Sequence, residues 1–311
     1  MGTRDEASKW LIKFTKNIIN AHYVQGCVKL IGMKVKHGVC GALNVIRYSL
    51  ASLHKYEEPC ISGENGSGTI FFVGCNLKCI FCQNYKISQN YSKDHSYEHS
   101  VQELAQDMLN LQNKGAHNIN LVTAFMYVPQ IIEAINIARN NGLHIPIVYN
   151  SSGYESVDTL KKIQGYVNIY LPDLKYRDDK LGKVFSKVDD YFEKASIAIE
   201  EMYNQVGLPN FDDNGMMYSG MIIRHLILPG HVQNSIDVLK WIKEKFGKDI
   251  WVSIMAQYFP TNNIELLKKF DLNKKITKQE LEIIENLAFE MDMNGFIQDL
   301  EENEEQYVPN L

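Results

Sequence analysis

The stretch Ile70-Phe71-Phe72-Val73-Gly74-Cys75-Asn76-Leu77-Lys78-Cys79-Ile80-Phe81-Cys82-Gln83-Asn84 passes from an apolar run, read as a buried strand over residues 69–73, into a turn marked by Gly74 and Asn76. Three of the chain's six cysteines then fall within eight residues. Their i, i+4, i+7 spacing also fits one face of a helix, which would make them ordinary core thiols. The breakers at the strand exit favour a loop. Three thiols on a loop leave two metal readings. A structural zinc site wants four ligands and would recruit His95, His99 or Cys60 as the fourth. A cube of four irons is normally held by four thiolates, so three would leave one iron open to another ligand.

Downstream of this stretch, strand and helix signals alternate. Ser100-x-x-Glu103 opens a helix through Val101, Leu104, Met108 and Leu111 that closes at Gly115. Residues 118–123 read as the second strand, and its helix starts at Pro129 and stops before Gly142. A third strand over 145–149, a helix over 157–163 and a fourth strand over 167–171 follow. The long helical stretch over 179–206 breaks near Asp189 and Asp190, either of which can cap a second helix. Asp213-Asn214-Gly215 marks a small hairpin or loop. Strand five covers 221–228 and is followed by a helix through Ile236, Leu239, Ile242 and Phe246; strand six covers 251–258. Thr277-x-x-Glu280 opens the last helix. Six strand–helix units imply an α/β fold, a parallel sheet with helices outside it, curled by right-handed crossovers.

In barrels of parallel strands the active site lies at the carboxyl ends of the strands. There the first strand delivers the cysteines, the second Thr123-Ala124-Phe125-Met126-Tyr127, and the third Asn150-Ser151-Ser152-Gly153. The fourth delivers Asp173-Leu174-Lys175, the fifth contains Arg224-His225, and the sixth ends at Gln257-Tyr258. Asn150, Ser151 and Ser152 either cap the next helix or hydrogen-bond a ribose. Asp173 and Lys175 share one face of an extended chain. As an exposed pair they would contribute little; in a barrel mouth they form a functional pair. Arg224 lies in an otherwise apolar strand and needs a carboxylate partner, from a ligand or from Asp173. Its neighbour His225 points to the opposite face and reads as a core histidine.

The 311 residues are 45% hydrophobic and 22% charged, values of an ordinary globular chain with a sizeable core. A net charge of −5 offers no basic field for nucleic acid. No apolar run approaches the ~20 residues of a membrane span, and Arg4, Asp5, Glu6 and Lys9 precede any hydrophobic stretch, unlike a signal peptide. These features predict a cytoplasmic protein with no membrane partner, in which cysteines are metal ligands or buried thiols. Trp10, Leu11, Phe14, Ile18 and Ile19 recur at helical spacing, predicting an amphipathic helix that ends near Tyr23. The expected division is an N-terminal extension over 1–68 packing on the main domain, the main domain with its C-terminal helix over 69–299, and an acidic tail over 300–311.

Cys-x-x-x-Cys-x-aromatic-Cys, with Phe81 as the aromatic, resembles the signature of radical SAM enzymes. The longer run from Gly66 to Tyr85, Gly-Ser-Gly-Thr-Ile-Phe-Phe-x-Gly-Cys-Asn-Leu-x-Cys-x-Phe-Cys-Gln-Asn-Tyr, resembles the PflX-like branch related to pyruvate formate-lyase activating enzyme. Asp190-Tyr191-Phe192, Ile223-Arg224-His225-Leu226, Leu228-Pro229-Gly230, Val252-Ser253-Ile254-Met255 and Asn294-Gly295-Phe296-Ile297-Gln298 look like the same pattern, so the resemblance covers roughly residues 56–298. It implies a partial (β/α)6 barrel of the radical SAM type. It further implies a [4Fe–4S] cluster on Cys75, Cys79 and Cys82, with S-adenosylmethionine chelating the open iron. Phe81, Asn84, Thr123, Asn150, Ser151, Ser152 and Gln257 would then contact S-adenosylmethionine, and Asp173, Lys175 and Arg224 would act in catalysis. Reductive cleavage would give a 5′-deoxyadenosyl radical that takes hydrogen from a substrate. The branch points to a glycyl radical enzyme as partner and to flavodoxin or ferredoxin as electron donor. Radical modification of a small molecule or another peptide is the alternative, and a non-catalytic metal-stabilised binding module is the alternative of a different class.

Two departures from the branch stand out. It usually shows Thr-Pro-Thr-His-Tyr after strand two, where this chain has Thr123-Ala124-Phe125-Met126-Tyr127. It also carries an upstream Cys-x-x-Cys-Pro-x-x-Cys, of which Asn20 and Tyr23 occupy the first positions here and only Cys27 remains, with Cys40 in a later Gly-x-Cys. Too few ligands are left for a second metal site, so Cys27, Cys40 and Cys60 are read as structural thiols.

Overall fold

The structure, a computed structural model, describes residues 45–89, 97–261 and 263–300. The expected N-terminal helix, Cys27, Cys40, His95 and the tail beyond residue 300 lie outside them. In chain order the strands are β1 (Ile46–His54), β2 (Ser67–Phe72), β3 (Glu98–His99), β4 (Ile119–Val122), β5 (Ile147–Ser151), β6 (Ile169–Pro172), β7 (Asn210–Phe211), β8 (Met217–Leu226), β9 (Trp251–Met255) and β10 (Asn294–Ile297). The main helices are α1 (Val101–Asn113), α2 (Val128–Asn140), α3 (Val157–Ile163), α4 (Tyr191–Val206), α5 (Val232–Phe246) and α6 (Lys278–Glu290).

β2, β4, β5, β6, β8 and β9 pair in that order, all parallel, and are the six strands expected from the sequence. The sheet is an unclosed barrel of the partial (β/α) kind, and its edges hold what the sequence reading does not foresee. β10 extends the parallel run beyond β9. At the other edge β1 pairs antiparallel with β2, and β3 with β1. The Asp213-Asn214-Gly215 turn joins β7 to β8 as an antiparallel pair.

Local signals account for the helix boundaries. Ser100 and Glu103 form a reciprocal capping box on α1, as do Thr277 and Glu280 on α6. The 179–206 stretch breaks near Asp189 and Asp190, into a short turn, a π-turn over Gly182–Ser186 and then α4 starting after Asp190. Neither aspartate caps α4 with its side chain, since Asp189 pairs with Lys183 and Asp190 accepts from the Tyr154 hydroxyl; Asp179 accepts the Phe192 N–H instead. Among the described residues no helix is long and apolar enough to cross a membrane.

Alternation along the strands sorts the core into two sides. Ile70, Leu121, Tyr149, Tyr170 and Ile223 face the outer helices and are fully buried there. On the inner side, Val148, Ile169, Leu171 and Ile222 pack around Cys60 and Ile61 from the helical turn Pro59–Ser62. Further along β5, β6 and β8 toward their carboxyl ends, the same inward face turns polar. Val148 gives way to Asn150, Leu171 to Asp173, and Ile222 to Arg224. An apolar plug thus floors a polar chamber. His225, facing the other way, is wholly buried and bonds the Leu174 carbonyl at 2.7 Å and Ser235 Oγ at 2.9 Å. Burial lowers its pKa to about 4, so it is a neutral core histidine.

Candidate active site

After β2 the chain turns at Gly74, whose φ of +101° lies in the left-handed region that glycine adopts without strain. Residues 74–84 then run as a loop, not a helix. Its backbone is clamped from two sides. Lys78 and Ile80 donate their N–H groups to the carbonyls of Ser186 and Phe185 at 3.0 and 2.9 Å, and Gly74 donates to Ile87 at 2.9 Å. The π-turn over Gly182–Ser186 is thus the shelf on which the cysteines rest. Asn76, almost fully buried, donates its amide to the Tyr154 carbonyl and ties the loop to the exit of β5.

Every residue assigned from the sequence to metal, cofactor or catalysis lines one cavity of about 210 Å³. Cys75, Cys79 and Cys82 are half-buried, and each sulfur has a hydrogen-bonding neighbour. These are Leu77 N–H at 3.4 Å, Ser186 Oγ at 3.0 Å and Ser88 Oγ at 3.2 Å, respectively. Burial and the neighbouring Cys79 push the Cys75 thiol up to about 12, and the same two causes push Cys82 up to about 11. Burial raises Cys79 as well. Thiolates in this spot therefore need a positive counter-charge.

A mononuclear zinc site does not form among the described residues. Among the described residues no three His, Cys, Asp or Glu side chains converge where one metal ion could bind. Cys60 packs on the apolar plug, and His99 stacks on Tyr48 at 3.7 Å; neither lines the cavity.

Opposite the loop stands a charged array. Asp173 Oδ2 accepts from Lys175 Nζ at 2.6 Å, and Asp173 Oδ1 accepts from Arg224 Nε at 3.0 Å. Arg224 also donates to Glu57 Oε2 at 3.2 Å and to Asn150 Oδ1 at 2.6 Å. Burial alone would raise Asp173, but Lys175 and Arg224 outweigh it and hold the carboxyl below its ordinary value. Likewise, burial would lower Lys175 and Arg224, and Asp173 keeps both raised and charged. The Tyr191 hydroxyl knits the strand ends together, accepting from Lys175 N–H at 3.0 Å and lying 2.8 and 2.9 Å from the Ser152 and Asp173 carbonyls. Gly153 permits this closeness, since a Cβ there would sit 2.3 Å from the Asp173 carbonyl oxygen.

The β5 exit does not cap the following helix; Ser156 does that, accepting from Thr159 N–H. Asn150, Ser151 and Ser152 are left to the cavity wall. Thr123 also lines it, in a left-handed conformation (φ +59°) that is costly for a β-branched residue, on the order of 1–3 kcal/mol. Ala124 and Phe125 are buried in the outer core instead, and Met126, where the branch has histidine, is half-buried against that core; none of the three lines the cavity. Phe81 presents an edge braced by Phe185 and Tyr258, with ring centroids 6.4 and 6.0 Å away. Gln257 receives the Gln83 amide on its carbonyl at 3.0 Å.

Glu57 and Glu58 are the members of this neighbourhood that the sequence reading misses. Glu57 lines the cavity, accepts from Asn120 at 2.9 Å and pairs with Arg224. Burial raises both carboxyls, with Arg224 opposing. The only sequence signal was two adjacent acids before Pro59, which reads equally well as a solvated loop.

The Radical SAM superfamily model matches residues 69–272. An uncharacterized protein of Methanocaldococcus jannaschii is 28% identical over 284 residues, covering 89% of this chain and 77% of that protein. Among solved structures, a radical SAM methyltransferase from Sphaerobacter thermophilus superposes with a TM-score of 0.53 at 11% identity, covering 75% of this chain and 66% of that one. HydG, a maturase of the [FeFe]-hydrogenase, superposes with a TM-score of 0.51 at 12% identity, over 75% of this chain and 51% of that one. This chain thus spans less than two thirds of those solved proteins, and the likeness at such identities is one of fold. With a three-cysteine loop at the head of an unclosed parallel barrel and a family model matching most of its length, the chain belongs to the radical SAM superfamily, whose enzymes use a [4Fe–4S] cluster and S-adenosylmethionine.

Proposed function

We propose that this radical SAM enzyme installs a glycyl radical on a partner protein. Cys75, Cys79 and Cys82 would hold the cluster, and the loop with the array of Asp173, Lys175 and Arg224 would hold S-adenosylmethionine. One observation supports the ligand assignment above the rest. Three thiols share one cavity, each with its own hydrogen-bonding neighbour, and no fourth cysteine joins them among the described residues. That donor set suits a four-iron cluster with one iron left to an exchangeable ligand. When bound, the pair supplies one-electron cleavage of the sulfonium to a 5′-deoxyadenosyl radical that abstracts hydrogen.

The chain's own residues bind and orient. The Leu77 N–H, Ser186 Oγ and Ser88 Oγ groups stabilise the sulfurs as thiolates. Asp173 offers a carboxylate to ammonium or hydroxyl groups, and Lys175 offers a cation to a carboxylate. Arg224 spends its donors on Asp173, Glu57 and Asn150, so it is a positioning residue that fixes the first and last of these. Thr123, Asn150, Ser151, Ser152, Asn84 and Gln257 supply polar contacts around the cofactor, and Phe81 with Leu77 and Leu226 supplies apolar wall.

The glycyl-radical reading is supported by the run from Gly66 to Tyr85 and by Asp173-x-Lys175, both of which resemble the activating enzymes. Anaerobically reconstituted protein should carry about four irons with sulfide and form 5′-deoxyadenosine from S-adenosylmethionine under reduction. Zinc without sulfide would replace this reading with a metal-stabilised binding module. A protein that co-purifies anaerobically should then develop a glycine-centred radical by electron paramagnetic resonance. Active enzyme that yields no such signal would move the assignment to a small molecule or another peptide.

A further inference from the structure

The unclosed barrel leaves β10 as a free edge, and residues 55–63 cross the open side facing it. Between them lies a second cavity of about 480 Å³. Tyr56, Glu57, Arg224, Met255 and Gln257 line both it and the cysteine cavity, so these residues form the shared wall. Across the new cavity, Gln298 is fixed by the Ala256 N–H at 3.1 Å and donates to Gln257 Oε1 at 3.2 Å.

The buried part of this wall sets two carboxyls, Glu57 and Glu58, against one guanidinium. Arg224 opposes the rise that burial gives both, but divides its donors among Asp173, Glu57 and Asn150. Glu58 lines the cavity at only 7% exposure; Ser253 and the Arg224 charge act on its carboxyl, yet its Oε2 is buried without a hydrogen-bond partner among the described residues. A buried carboxylate oxygen left unsatisfied is costly, and native structures retain one chiefly where something else completes it. The only other cation on the lining, Lys55, is exposed at the rim.

We propose that this cavity is the substrate subsite, and that Glu58, with Glu57 beside it, receives a cationic nitrogen group of the substrate, an ammonium or guanidinium. The subsite rests on the radical SAM reading for its purpose, since its shared wall sets a bound group beside the site of hydrogen abstraction. It does not rest on that reading for its binding chemistry. A cation there supplies the charge and the donor that Oε2 lacks, and Gln257 with Gln298 can accept and donate around it. The substrate, whether a peptide or a small molecule, would present a lysine-like or arginine-like group a few bonds from the reacting carbon.

The test uses cluster-reconstituted full-length protein and three probes, butylguanidinium, butylammonium and the neutral 1-pentanol, with binding followed by saturation-transfer NMR. Wild type should prefer either cation over pentanol by roughly tenfold, as a charge-assisted hydrogen bond allows. Glu58→Gln and Glu58→Met should abolish that preference while melting at the same temperature as wild type or higher. Absence of a preference in wild type overturns the proposal. So does unfolding or a lowered melting temperature in both variants, which would make Glu58 a structural group. The same wild-type preparation is assayed for 5′-deoxyadenosine. Cation binding without that product would sink the catalytic reading alone, whereas product without cation binding would sink the subsite alone.

Discussion

Arg224→Met is the substitution whose consequences the structure specifies most fully. Arg224 is the shared counter-ion of Asp173 at 3.0 Å and Glu57 at 3.2 Å, with side chains 13%, 16% and 9% exposed. Methionine fills similar space but leaves both carboxylates facing low dielectric. Asp173 retains Lys175, whereas Glu57 retains only amide donors. Removing one partner of a buried ion pair costs about 3–5 kcal/mol. At ~2–4 °C per kcal/mol for a protein of this size, the melting temperature should fall by at least roughly 6 °C. The loss should also depend on pH. Burial already raises Glu57, and without Arg224 it rises further. A carboxyl raised on folding gives stability that is complete below its unfolded pKa and lost as pH climbs through its folded pKa. Asp173, held low in the wild type, adds stability above its unfolded pKa that the variant partly forfeits. The Asp173 contribution is already complete by about pH 5, so its loss lowers stability evenly across the range, and the Glu57 effect is what enlarges the deficit from pH 5 to pH 8. Urea unfolding of wild type, Arg224→Met and Arg224→Met/Glu57→Gln across that range measures it, and the double variant should recover part of the loss. A deficit under ~1 kcal/mol, or one flat with pH, would refute the view that Arg224 neutralises buried carboxylates.

Alanine at Cys75, Cys79 or Cys82 should each lower bound iron and bleach the cluster's visible absorption. Cys60→Ala should leave iron content unchanged and cost only packing, since Cys60 sits on the apolar plug. Ser186→Ala removes the hydroxyl 3.0 Å from Cys79 and should shift the cluster's potential to a more negative value in a redox titration, because hydrogen bonds to cluster sulfurs favour the reduced form. An unchanged potential would show that Ser186 does not act on the cluster. Burial raises Glu155 to about 8, with the Tyr149 hydroxyl opposing, and its Oε1 has no partner. Its contribution is therefore complete below its unfolded pKa and is lost as pH rises toward 8. Glu155→Gln should flatten that loss and stabilise the protein near pH 7.5 by on the order of 2–3 kcal/mol relative to pH 5; equal effects at the two pH values would contradict the assignment.

What the sequence makes legible is what local chemistry dictates. The apolar runs, the two capping boxes and the breakers at Gly74, Asp190 and Gly215 each act within a few residues, and each stands where it was expected. The polar exits of the strands converge on one cavity because alternation and parallel pairing force them to. The edges were not legible. β1 alternates weakly, from buried at Ile46 to half-buried beyond Tyr48, and becomes a strand only through pairing with β2. β10 is four residues with a glycine in it, and its partner β9 supplies the reason for its extension. Glu57 and Glu58 went unread for the same cause, since nothing local separates them from a solvated acidic turn. Only the crossing of the barrel's open side buries them.

That crossing links the architecture to the chemistry. A closed barrel would complete its hydrogen bonds between strands and leave no lateral opening. Here the gap between β1 and β10 is spanned by residues 55–63, which carry Cys60 and Ile61 into the apolar plug and Glu57 up to Arg224. One short segment therefore seals the floor, joins the charged array and walls a second cavity. Its acids are a poor choice for stability, because burial raises both carboxyls and Glu58 Oε2 is left without a hydrogen-bond partner among the described residues. A group that weakens the fold where packing does not ask for it is best explained by what it meets in use. Along β5, β6 and β8 the inward face runs from apolar to polar, at Asn150, Asp173 and Arg224, and across the gap the same order recurs from Ile61 back to Glu57. The open side thus repeats with a loop the polarity that these three strands build by alternation, and it does so beside the proposed subsite.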